Sequence, residues 1–185
     1  ASRFLKDPGF IAQIGALERA EMLLYLQCEG QIRAFDKQNA VKVLENGQGL
    51  LIGYSSNSLN EEQLMEDLGQ DSSKLMELIT KEELLSMQNN AVLAGEITKP
   101  DWFVNYFDGE VFHLMITVID ESLKGTGAFR RLLTPVIKEC EEKKMPIVLQ
   151  THNPENVPIY EHFGFRLMES PTSDRIDLTC FCMMR

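Results

Sequence analysis

No apolar run in this 185-residue chain approaches the roughly 18–20 residues needed to cross a bilayer. The N-terminus has no basic segment followed by an apolar one. Neither a membrane span nor a signal peptide is therefore expected, and the expected location is cytoplasmic. Positive charge is scarce: 18 Lys and Arg stand against 28 Asp and Glu, for a net charge of −10 and a pI near 4.8. That excludes sequence-independent nucleic-acid binding, which needs basic surface to replace counterions. It favours cationic substrates through long-range steering, although many acidic proteins have no such role. The four cysteines are Cys28, Cys140, Cys180 and Cys182. They form no Cys-x-x-Cys pair, and the three histidines lack zinc-like spacing, so no metal site is expected. Cys180 and Cys182 would share one face of a strand, as buried free thiols. With no internal repeat and no low-complexity linker, the chain reads as a single domain over 1–185.

Local signals are clearer than composition. Asp7-Pro8 opens a helix as an N-cap acid followed by proline at the first helical position. Phe10, Ile14, Leu17 and Leu24 follow at helical spacing, and Gly30 is the expected stop. Asn46-Gly47 lies between two apolar runs, 41–44 and 50–54, as in a tight type I′ hairpin. From Ser55 to about Ala94 the pattern is helical and acidic. Ser58-Leu59-Asn60-Glu61 could cap an earlier short helix, and Thr80-Lys81-Glu82-Glu83 fits a capping box. Residues 111–119 form a nearly unbroken apolar run, predicted to be a central strand. The loop Lys124-Gly125-Thr126-Gly127 precedes a helix whose apolar face is Phe129, Leu132, Leu133, Val136, Ile137 and Cys140. Pro135 in its third turn predicts a kink or break. Residues 147–151 read as a second buried strand, 155–163 as a short helix ended by Gly164, and 177–184 as a last strand.

The unit that could carry chemistry is strand, glycine loop, helix, strand, short helix. A helix N-terminus after a glycine loop offers free N–H groups and a positive dipole end, which suits a pyrophosphate. Lys124, Arg130 and Arg131 add positive charge there in an otherwise acidic chain. A plain βα turn would use the same glycines. The loop is neither a P-loop nor a dinucleotide fingerprint, because the required lysine spacing and the third glycine are missing.

Residues 149–165 read Leu-Gln-Thr-His-Asn-Pro-Glu-Asn-Val-Pro-Ile-Tyr-Glu-His-Phe-Gly-Phe. This resembles motif B of the GNAT superfamily, most closely its puromycin N-acetyltransferase branch. Leu149, Thr151, Pro154, Asn156, Pro158, Tyr160, Glu161, Gly164 and Phe165 match that branch's pattern, while Gln150 stands where it has Glu. The resemblance runs without a gap over about 112–185, through Leu114, Ile119, Pro135 and the ending Cys182-Met183-Met184-Arg185. In that register Lys124, Gly127 and Phe129 occupy motif A, with Phe129 at a position that is ordinarily small. A rival register through Ser122, Gly125 and Gly127 would shift the helix.

The resemblance implies an α/β (mixed α+β) GNAT fold: a twisted, mixed but mostly antiparallel sheet with helices on both faces, splayed between strands 111–119 and 147–151. It implies acetyl-CoA as acyl donor in a core over 111–185, with acceptor-site elements in 1–110. The implied cofactor-binding residues are Thr117, Val118, Ile119, Lys124, Gly125, Thr126, Gly127, Ala128, Phe129, Arg130, Asn156 and Tyr160. An amine would attack the thioester directly. Backbone N–H groups within 117–119 would hold the oxyanion, and Tyr160 would protonate the leaving thiolate. Tyr160 could instead be only a packed aromatic. The base is open: Gln150 cannot serve, while His113 and Glu110 are candidates, His113 being as readily a structural residue. Trp102, Tyr106 and Phe107 could line the acceptor pocket or belong to the core. The expected partner is a small-molecule amine, and a homodimer is carried over because dimers are common in the family. A non-catalytic acyl-CoA-binding module and a peptide acetyltransferase are the alternatives.

Overall fold

The computed structural model describes residues 4–14, 19–45 and 47–185. Strand β1 (Val41–Val43) pairs antiparallel with β2 (Gly49–Ser55), and β2 with β3 (Phe112–Ile119) along its whole length. Beyond β3 come β4 (Ile147–Thr151), β8 (Phe181–Met184) and β5 (Arg166–Glu169), giving the order β1-β2-β3-β4-β8-β5. Among the described strands, only β3 and β4 pair in parallel. A separate pair joins β6 (Thr172–Ser173) to β7 (Leu178–Thr179). The expected last strand is therefore two strands broken at Cys180, and β5 and β6 are additions to the sequence reading.

Helices cover both faces. Helix α5 (Ala128–Lys143) buries Leu132, Leu133, Val136, Ile137 and Cys140 against Leu51, Phe112, Leu114, Ile147 and Leu149. Tyr160 of α6 (Asn156–His162) joins the same cluster. On the other face, α2 (Ala20–Lys37) and α3 (Glu61–Met76) bury Ala34, Phe35 and Leu64 against Ile52. Beside them Ala94 of α4 (Lys81–Gly95) packs with Trp102, Val111, Val148, Cys180 and Cys182. Trp102 is thus a core residue, whereas Tyr106 remains exposed.

Terminal signals act as their chemistry demands. The Asp7 carboxylate accepts from the N–H groups of Gly9 and Phe10 and caps α1 (Pro8–Ile14). Asn60 caps α3 through Gln63 N–H, and Thr80 and Glu83 form the reciprocal capping box of α4. Helix α3 is longer than the short helix expected there.

Three expectations need correction. Helix α1 is described over Pro8–Ile14, and α2 runs through Gly30 to Lys37. The stop is Asn39, which takes φ 57° while Ala40 N–H bonds the Phe35 carbonyl, so an αL asparagine closes a Schellman motif. Leu17 lies outside the described residues. The hairpin is also wider than a two-residue turn. Leu44 N–H reaches the Gly49 carbonyl at 2.9 Å, and Gly47 (φ 71°) donates to Leu44 at 2.8 Å. The closing pair is thus Leu44 with Gly49, with residues 45–48 between them; Asn46 lies outside the described residues. Finally, α5 continues without a break across Pro135, whose side is exposed, so the Arg131 carbonyl that loses its helical donor stands on the solvent side.

Candidate active site

The parallel pairing of β3 and β4 has only two rungs, Phe112 with Ile147 and His113 with Val148. Past His113 the strands part, while β3 stays paired to β2 as far as Ile119 and β4 to β8 as far as Thr151. The sheet is forked at its centre, as expected. The inner edges of the fork carry backbone groups without a partner strand.

A bulge sets which side chains line the fork. Ile52 pairs with Ile116 but Gly53 with Leu114, so Met115 is one residue too many on β3. Side chains alternate along a strand, and one extra residue reverses the alternation. Before the bulge Phe112 and Leu114 point to α5; after it Ile119 does, while Ile116 points to the α2–α3 face. Thr117 is carried by the same reversal to the side of α6. Gly53, opposite the bulge, has no room for a Cβ: one would stand 2.5 Å from the Phe112 ring.

At the open end of the fork, Asp120 caps a short 3₁₀ turn through Ser122 N–H. Lys124 to Gly127 then lead into α5. Gly125 and Gly127 take φ 78° and 77°, conformations that favour glycine. The first helical bond runs from Arg131 N–H to the Gly127 carbonyl, leaving the N–H groups of Ala128, Phe129 and Arg130 without helical partners. Arg131 folds back onto the Thr126 carbonyl at 3.0 Å. Arg130 lies over the Phe163 ring and contacts His162 Nε2 at 2.8 Å. Guanidinium can only donate, so that nitrogen is the acceptor. Lys124 is exposed and makes no ion pair among the described residues. These glycines, free amides and cations fit a diphosphate group.

Phe129 does not block the loop. Its ring turns inward, 5.9 Å from Tyr160 and 5.4 Å from Phe163, which leaves its amide at the helix end. Tyr160 is 8% exposed and packs also on Phe165. Burial pushes its phenol up to about 12, against a smaller downward pull from the Thr117 hydroxyl. The phenol is thus protonated at neutral pH and able to donate. The Thr117 oxygen is itself buried and forms no hydrogen bond of conventional length. Asn156 Nδ2 donates to Thr151 Oγ1 at 2.9 Å, joining α6 to the end of β4.

The other face of the fork carries His113. It stacks on Tyr54 at 5.1 Å and meets the edge of Phe103 at 5.4 Å. Burial lowers its pKa, so the ring is neutral at pH 7. Gln150 lies on this face too, its amide directed at the thiols of Cys180 and Cys182, whose sulfurs are 3.8 Å apart. Those two cysteines do share a face, as expected. Glu110 is set apart. It lines a concavity of about 410 Å³ with Lys143 and Lys144, beside the end of the fork where β3 and β4 are still paired. A second cavity, about 390 Å³, lies between Gly30 of α2 and Met87 of α4 and shares no lining residue with the fork. Val118 is half-buried on β3 next to Thr117. The bulge and the Thr117 hydroxyl are the site features that sequence reasoning missed. No short motif signals a bulge in an apolar run, although Gly53 in the facing strand is a trace of one.

Among the described residues, no helix is long and apolar enough to cross a membrane, and no cluster of His, Cys, Asp or Glu could hold a metal.

The family model described as acetyltransferase (GNAT) domain matches residues 56–183. An uncharacterized N-acetyltransferase of Schizosaccharomyces pombe is 33% identical over 63 residues, which span 34% of this chain and 26% of that protein. The matching stretch is thus about a quarter of the relative's length. Among solved structures, the histone acetyltransferase HPA2 and related acetyltransferase from Corynebacterium glutamicum superposes with a TM-score of 0.57 at 17% identity, covering 98% of this chain and 83% of that one. Arylalkylamine N-acetyltransferase 2 from Aedes aegypti gives 0.56 at 12% identity over 100% of this chain and 95% of its own. The polyamine N-acetyltransferase of Drosophila melanogaster gives 0.55 at 12% identity, over 98% and 88%. At these identities the structures speak for the fold, and the family model speaks for descent: the chain belongs to the GNAT acetyltransferases, enzymes whose acyl donor is acetyl-CoA.

Proposed function

We propose that the chain transfers an acetyl group from acetyl-CoA to a primary amine of a small molecule, by direct attack, with Tyr160 as general acid. The observation that carries this reading is the buried, protonated Tyr160 phenol beside the open fork. In this reading the amides of Gly125, Gly127, Ala128, Phe129 and Arg130, with the Lys124 and Arg130 cations, hold the diphosphate of the donor. The donor to the thioester oxygen lies within 117–119: Thr117 and Ile119 turn their N–H groups away from β2, whereas Val118 N–H is on the side paired with Leu50, and the bulge at Met115 sets these directions. Asn156 keeps α6, and with it Tyr160, in register with β4.

The attacking amine must be neutral. His113, neutral and without a hydrogen-bond partner among the described residues, is the candidate base. Two of the structural relatives are named for arylalkylamine and polyamine substrates. The net charge of −10 favours cationic acceptors of that general kind. A homodimer and a cytoplasmic setting are part of the same proposal.

Calorimetric titration with acetyl-CoA, beside a Gly127→Glu variant, tests the donor site. Binding by the intact chain that is lost in the variant supports the reading, and an amine panel then tests turnover. An intact chain that does not bind acetyl-CoA overturns it.

A further inference from the structure

The Thr117 hydroxyl is buried and forms no hydrogen bond of conventional length, in a strand where valine would fill the same space at no polar cost. The β3 bulge turns this side chain toward α6, because without Met115 as the extra residue Thr117 would point away from Leu114 and Leu133. The phenol it meets belongs to Tyr160, whose ring is fixed by Phe129 and Phe165. Among the described residues, the Thr117 hydroxyl is the side-chain group that acts on that phenol, and no charged group of α5, β3, β4 or β5 does so.

We propose that Thr117 is a positioning residue for acyl transfer: its hydroxyl donates to the Tyr160 oxygen, aims the phenolic proton at the thioester sulfur, and holds the phenolate once that proton has gone. This rests on Tyr160 being the acid. As the tetrahedral adduct collapses, the C–S bond breaks and its electron pair stays on sulfur. The Tyr160 proton moves to that sulfur and gives the free thiol. The hydrogen bond from Thr117 stabilises the phenolate left behind. The base proposed above, His113, takes the proton shed by the amine and passes it to solvent, and water returns one to the phenolate, so that amine and thioester yield amide and thiol with no net change. A hydroxyl can both donate and accept, which lets Thr117 follow the phenol through both states.

Two readouts test this, on Thr117→Val, Thr117→Ser, Tyr160→Phe and the Thr117→Val/Tyr160→Phe double variant. The first needs no acceptor. With tyrosine labelled at ¹³Cζ, Tyr160 is the resonance missing from Tyr160→Phe. In Thr117→Val it should shift, and its ionisation midpoint should move upward, while Thr117→Ser restores both. A Tyr160 signal indifferent to Thr117→Val overturns the proposal. The second readout is acetylation of tyramine as probe amine. In Thr117→Val, kcat should fall about tenfold with the acetyl-CoA KM nearly unchanged, and the same substitution should do nothing further in Tyr160→Phe. An equal loss in both backgrounds means that Thr117 does not act through Tyr160, and overturns the proposal alone. A Tyr160→Phe variant as active as the parent sinks the acid reading instead. Thermal melts of all four variants separate misfolding from these effects.

Discussion

Thr151 Oγ1 accepts two hydrogen bonds, from Asn156 Nδ2 at 2.9 Å and from Asn153 N–H at 3.3 Å, and so ties the turn before α6 to the last residue of β4. Thr151→Val keeps the shape and removes both. The expected loss is about 1–2 kcal/mol of stability, read by urea denaturation, because two donors in a partly buried turn lose their acceptor.

Gly127 is the residue before α5 and takes φ 77°. A Cβ there would meet only Arg131 Nη1 at 3.9 Å, so a substitution costs conformation rather than space. Gly127→Ala should lose about 1 kcal/mol in chemical denaturation, and Gly127→Asn distinctly less, since asparagine tolerates the left-handed region.

Pro135 lies on the exposed side of an unbroken α5. Pro135→Ala supplies the missing N–H to the Arg131 carbonyl. Stability should rise, by up to about 3 kcal/mol, measured by thermal and urea unfolding.

Burial raises the Tyr160 phenol from 10 to about 12. The unfolded chain releases this proton first, so the contribution is fully present below pH 10 and is lost as pH rises from 10 towards about 12. Its size is of the order of 3 kcal/mol. Cys140, raised from 9 to about 11, adds a loss that begins lower. Tyr160→Phe should therefore show a shallower fall in stability above pH 10 than the parent, followed by circular dichroism.

Local chemistry made much of this fold legible. Thr80 and Glu83 cap α4 as a reciprocal pair because the spacing permits nothing simpler, and the stripe from Leu132 to Cys140 fixes the buried side of α5. Gly30 misled because a glycine is no stop when neighbouring turns pack; Ala34 and Phe35 carry α2 on to Asn39. Strand β5, Arg166–Glu169, has no β-branched residue and owes its form to pairing with β8. The fork and the register of Tyr160 were legible only through the resemblance at 149–165. A split between strands is a matter of tertiary pairing, which an apolar run such as 111–119 does not encode. The half-buried setting of His113 between Tyr54 and Phe103 was likewise out of reach, since neither ring is near it in sequence.

The two-rung pairing of β3 with β4 makes the middle of the sheet behave as a rim. Central strands ordinarily hold the slowest-exchanging amides of a domain. Here protection against deuterium should be uneven along a single strand: high where β3 meets both neighbours at Phe112 and His113, and low at those amides of Leu114 to Ile119 that face the gap. The opening proposed to admit acetyl-CoA is thereby also the place where solvent reaches the heart of the sheet.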